Sequence, residues 1–195
     1  MIVLISAFLL LSAFSCGGGN KANSTSEQSE ETAVNVPQFD ADSAYLYVKN
    51  QVDFGPRVPN TKEHVACGNY LAGQLEAFGA QVTNQYADLI AYDGTLLKAR
   101  NIIGSYKPES KKRIALFAHW DTRPWADNDP DEKNHNTPIL GANDGASGVG
   151  ALLEIARLVN QQQPELGIDI ILLDAEDYGA PQFYTGQHKE EFWCL

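Results

Sequence analysis

Carboxylates and a histidine placed where apolar runs give out are the residues of this sequence whose types and spacing could do chemistry. The run IALFA, residues 114–118, is followed by His119 and Asp121. A second run, IDIILL at 168–173, ends in Asp174, Glu176 and Asp177, and a small-residue loop, GANDGASG at 141–148, carries Asp144. Two positions apart on an extended chain, His119 and Asp121 project from the same face. That brings an imidazole and a carboxylate together at the carboxyl edge of a sheet, where open α/β folds bind ligands. Crowding Asp121, Asp144, Glu176 and Asp177 is unfavourable unless each buried negative charge finds a cation or a proton. A divalent metal meets that need. Mixed oxygen and imidazole donors point to zinc before calcium, and a catalytic zinc keeps three protein ligands and one open position.

The elements that must position these groups are legible in the apolar periodicity. Residues 41–51 have helical composition with Tyr45 and Val48 on one side. Residues 61–78 form a stronger helix, with Val65, Gly68, Leu71, Leu75 and Phe78 on one face, Thr61 as N-cap and Gly79 as terminator. Residues 80–86 and 98–105 read as strands, and the second is expected to form a hairpin with 114–118 through the turn KPESKKR. After Asp144, residues 145–159 form a helix with Val149, Leu152, Leu153, Ala156 and Val159 inward, closed by Pro164 and Gly167. Strand, loop, helix, strand in this order is a βαβ crossover, so the expected class is α/β, with a mixed, mainly parallel sheet and helices on both faces.

The whole chain of 195 residues, 44% hydrophobic, suits one such domain with a sizeable core. A net charge of -11 and a pI near 4.7 argue against nucleic acid as a partner, because two polyanions repel. Residues 1–15 are almost wholly apolar but too short to span a bilayer, and read as an export signal. Ala13-Phe14-Ser15-Cys16 before GGGN resembles a bacterial lipoprotein cleavage box, in which Cys16 is lipidated and membrane-anchored; the protein is then exported to the cell envelope or periplasm. Residues 16–38, rich in Gly, Ser, Thr, Asn and Glu, form a disordered tether, and the catalytic domain runs from 39 to 195. Cys67 reads as a small core residue, and its sequence separation from Cys194 decides nothing about pairing. His64, His135 and His188 sit in polar surroundings and read as surface residues.

HWD at 119–121, GANDGASG and LLDAED resemble the three metal-site motifs of the zinc aminopeptidase and glutaminyl cyclase superfamily, and FGPRVPNTKEH at 54–64 resembles its N-terminal helix entry. WDTRPWADND and the pair Glu176-Asp177 are similar to the bacterial glutaminyl-peptide cyclotransferases. That resemblance implies a zinc-dependent acyltransferase that converts N-terminal glutamine of exported peptides or proteins to pyroglutamate with release of ammonia. Carried over motif by motif, Asp144 and Asp177 are metal ligands and Glu176 is the general acid/base. His119 stands behind the ligands, held by Asp121, and Trp125 and Trp193 are candidate walls of the substrate pocket. The superfamily's third zinc ligand is a later histidine, expected downstream of residue 195, so the 195-residue chain is expected to be an incomplete and by itself inactive domain. Two alternatives stand beside the cyclase: a two-zinc aminopeptidase, which needs His119 and a further downstream acid as second-metal ligands, and a lipid-tethered binding module with the fold but no chemistry.

Overall fold

Three α-helices, a short 3-10 helix (Glu132–Asn134) and four strands lie between Ala41 and Leu173 in the computed structural model, which describes residues 35–186. The expected export signal, Cys16, most of the tether, His188, Trp193 and Cys194 lie outside the described residues. Asp40 starts helix α1 (Ala41–Val52), its carboxylate accepting from the Asp42 and Ser43 amides. Thr61 caps α2 (Lys62–Ala77) by accepting from the His64 amide, and Gly79 ends it at φ 79°. The face α2 buries carries His64, Cys67, Gly68, Leu71, Ala72 and Leu75. Val65, expected inward, is 56% exposed, and Tyr45 of α1 is 71% exposed. The buried position of α1 is instead Gln51, whose amide donates to the Ala146 carbonyl and so ties α1 to α3 (Ala146–Gln161). On α3 all five residues expected inward, Val149, Leu152, Leu153, Ala156 and Val159, are buried.

The sheet runs in the order β1 (Gln81–Ile90), β2 (Leu96–Tyr106), β4 (Gly167–Leu173), β3 (Arg113–His119). It is mixed and open, and β3 and β4 are parallel across the α3 crossover, as the motif order requires. The mainly parallel arrangement is not what forms among the described residues: β1–β2 and β2–β4 are both antiparallel. Nor does β2 form a hairpin with β3. Strand β4, in which Ile168, Ile170 and Leu172 are buried on one side and Ile171 and Leu173 half-buried on the other, takes the place between them. The hairpin partner of β2 is β1, through a turn in which the Ala91 amide donates to Thr95. The basic turn before β3 acts as a bracket. The Arg113 guanidinium donates to the Lys107, Tyr106 and Ile168 carbonyls and to the Asp169 carboxylate.

Helices cover one face of this sheet among the described residues, not two. Ile102, Tyr106, Ile168, Ile170 and Leu172 pack with α2 and α3 in one apolar core, whereas Phe117, on the opposite face of β3, is 60% exposed. The carboxyl ends of β3 and β4 emerge side by side, which sets His119 and Asp174 at the same rim.

Candidate metal centre

His119 closes β3, paired with Leu173 of β4, so the chain segments that leave the two strands meet at once. Trp120, fully buried, anchors the first segment by donating from its amide to the Leu173 carbonyl and from its indole to Arg100. Asp121 is fully buried, and its Oδ2 accepts from the Asp177 amide at 3.0 Å, tying HWD to LLDAED. The third segment, ahead of α3, is bent by Gly141 and Gly145 at φ 54° and 87°. A Cβ on Gly145 would meet the Asp121 carbonyl at 2.9 Å and the His119 ring at 3.3 Å, so only glycine allows the loop this close.

The result is a cluster in which His119, Asp144 and Asp177 each offer one ligand atom, all within 4.8 Å of one another. His119 Nε2 lies 3.1 Å from Asp144 Oδ1, and its Nδ1 lies 3.4 Å from Asp121 Oδ1 and 3.6 Å from Glu176 Oε2. The Asp121 carboxylate is the main cause that holds His119 protonated, up to about 9; Glu176 and Asp144 add to it and burial opposes it. Asp177 is pushed up to about 6, first by burial and then by the negative charges of Asp121 and Asp144. The sequence places His119 behind the ligands; in the structure it stands beside them, one ring nitrogen toward Asp121 and the other toward Asp144. Gly145 explains this, because without a Cβ it lets the Asp144 loop come against the His119 ring.

These residues fit a divalent metal. Asp177 Oδ2, a carboxylate oxygen of the cluster, is buried without a hydrogen-bond partner, the condition a cation relieves. Carboxylate and imidazole donors suit zinc. Glu176 is about half-exposed, close enough to the cluster to exchange a proton there but outside the ligand set.

Two arginines that the sequence reading passed over shape the cluster. Arg57, fully buried, donates to the carbonyls of Trp120 (3.1 Å), Leu140 (2.7 Å) and Gly141 (2.9 Å), pinning the HWD segment against the Asp144 loop. Arg123 makes a two-pronged pair with Asp127 at 2.7 Å and donates to the Asp177 and Ala180 carbonyls. The arginines of FGPR and of TRPW, each among apolar or turn residues, were the signals available. Trp125 packs edge-on against Tyr178 and Tyr92, and with Arg123, Ile139 and Asp144 it lines an open depression of about 260 Å³. His64, expected at the surface, is buried and bonded to Asp174 at 2.8 Å.

Residues 101–192 match the family model described as Peptidase family M28. The match spans 92 of the 195 residues, just under half of the chain. Among solved structures, the chain resembles Bacteroides thetaiotaomicron glutaminyl cyclase bound to N-acetylhistamine, with 94% identity and a TM-score of 0.81 over 83% of this chain and 55% of that one. It resembles equally a leucine aminopeptidase precursor from the same species, with 94% identity and a TM-score of 0.81 over 83% of this chain and 56% of that one. A Zn-dependent exopeptidase from Parabacteroides distasonis is 63% identical, with a TM-score of 0.80 over 83% of this chain and 55% of that one. The chain thus spans little more than half the length of the solved structures it matches.

Proposed function

We propose that the protein is a zinc-dependent glutaminyl-peptide cyclotransferase, turning N-terminal glutamine of peptides into pyroglutamate with release of ammonia. The observation that carries this reading is that one ligand cluster, His119 with Asp144 and Asp177, is found among the described residues, with Glu176 beside it. The likeness to the B. thetaiotaomicron cyclase supports the choice of reaction. Asp144 and Asp177 hold the zinc, which when bound supplies Lewis acidity toward the side-chain amide of the substrate. Asp121 and His119 brace the pair from one side, and Arg123 holds the Asp177 backbone from another. Glu176 takes the proton from the attacking α-amine and delivers it to the leaving nitrogen, a role worth about 10² to 10⁴-fold in rate. Trp125, which lines the same depression as Asp144, forms a wall of the substrate pocket. The apolar start and Cys16 support an exported, lipid-anchored location at the cell envelope, where peptide N-termini are the substrates.

The experiment is inhibition by N-acetylhistamine, the ligand carried by the B. thetaiotaomicron cyclase. Its imidazole competes for the metal, so inhibition competitive with a Gln-peptide is expected; indifference to saturating N-acetylhistamine contradicts the reading. A second reading, a two-zinc aminopeptidase, is favoured by one observation: His119 stands within ligand distance of Asp144 and Asp177. It requires two zinc ions per chain and release of free amino acids.

A further inference from the structure

We infer that His64, through Asp174, is the positioning residue for Glu176; the inference rests on the acid/base role given to Glu176 above. Strand β4 ends at Leu173, and the next residues must turn sharply for Glu176 to reach the cluster. Ala175 makes that turn at φ 61°, a left-handed conformation that a residue with a Cβ disfavours. The residue before it holds the turn in place. Asp174 is 5% exposed, and its carboxylate accepts from His64 Nε2 at 2.8 and 2.9 Å, from the Arg100 amide at 2.6 Å and from the Ala175 amide at 2.7 Å. Its own amide donates to Asn101 Oδ1. The bond to the Ala175 amide is what stabilises the strained residue, and the other donors fix the carboxylate that makes it.

His64 is the one side chain in that set that reaches both arms of the site. Its ring stacks on Trp120, centroids 4.3 Å apart and planes 17° from parallel, and Trp120 lies between His119 and Asp121. It comes from α2, on the helix-covered side of the sheet, and is 3% exposed. So His64 clamps the HWD segment by stacking and the acid loop by its bond to Asp174, and among the described residues no hydrogen bond joins it to His119, Asp144 or Asp177. The Glu176 carboxylate, 3.6 Å from His119 Nδ1, gets its direction from this turn.

The test uses the protein in full, zinc-loaded, with variants His64→Leu, His64→Gln and Asp174→Asn, assayed on whichever of a Gln-peptide or an aminoacyl chromogenic substrate the wild type turns over. Expected is a fall in kcat of about 10 to 100-fold for His64→Leu and Asp174→Asn, with KM within a few-fold and zinc stoichiometry unchanged. His64→Gln keeps an N–H donor for Asp174 and should recover most of kcat. An unchanged kcat, a parallel loss of zinc, or no recovery in His64→Gln overturns the inference. So does loss of near-ultraviolet dichroism in both His64→Leu and Asp174→Asn, since the pair would then hold the core and not the acid loop. A wild type that hydrolyses and does not cyclise removes the cyclase reading while leaving His64 to be judged on the hydrolysis.

Discussion

His119 Nε2 and Asp144 Oδ1 stand 3.1 Å apart across 25 residues of sequence, with Asp121 on the other side of the imidazole. The contact exists because β3 stops at the rim where the glycine-bent loop returns. The cluster is therefore assembled by backbone geometry, with the side chains falling into place.

From these roles the two neighbouring acids separate experimentally. Glu176→Gln should cut turnover by about 10² to 10⁴-fold while zinc content holds, because a proton carrier can be neutralised without loss of a ligand. Asp144→Ala should lose the metal. Atomic absorption on both variants checks this, and zinc lost from Glu176→Gln would mean that the roles of Glu176 and Asp177 are exchanged.

For His119 the expectation is a weaker effect. His119→Ala should lower zinc affinity about 10 to 100-fold and leave one ion per chain at saturation, as removal of a bracing partner does. Two ions in the wild type, one of them missing from the variant, would establish the aminopeptidase arrangement in its place.

Arg57→Met should cost about 3 kcal/mol or more, because the carbonyls of Trp120, Leu140 and Gly141 lose a buried donor together. Urea unfolding measures it. A loss below about 1 kcal/mol would show that water replaces the guanidinium and that the pin is dispensable.

Much of this frame was legible and some was not, for reasons that lie in particular residues. Thr61 and Gly79 mark α2 by local capping chemistry, and the five inward positions of α3 follow from one clean period, so both helices were readable. The expected β2–β3 hairpin does not form, and the sequence cannot announce this, because a basic seven-residue turn looks alike whether its strands pair or part. Only tertiary competition, in which the strand buried along one face enters the centre, decides that β4 comes between them. His64 looked like a surface residue from its neighbours Lys62 and Glu63. Its partner Asp174 is 110 residues away, beyond any local signal. Arg57 escaped for a related reason: its partners are carbonyls, which leave no trace in residue types.

The edge of the sheet gives a pH prediction. Arg113 hydrogen-bonds the Asp169 carboxyl and holds it below the ordinary aspartate value, with Ser105 adding to the effect. A depressed folded pKa gives stability that is present above the unfolded value of about 3.9 and lost as pH falls through the folded one. Asp169→Asn should therefore melt a few degrees below wild type at neutral pH, with the gap closing in acid. Melting curves across that range decide it, and a gap independent of pH would show that the pair contributes through packing alone.

The most direct measurement of the central claim is product analysis on the zinc-loaded protein in full, given a peptide with N-terminal glutamine. Mass spectrometry and an ammonia assay should show pyroglutamyl-peptide and ammonia in equal amounts, both abolished by Glu176→Gln and by chelation. Free amino acids without pyroglutamate would contradict the account.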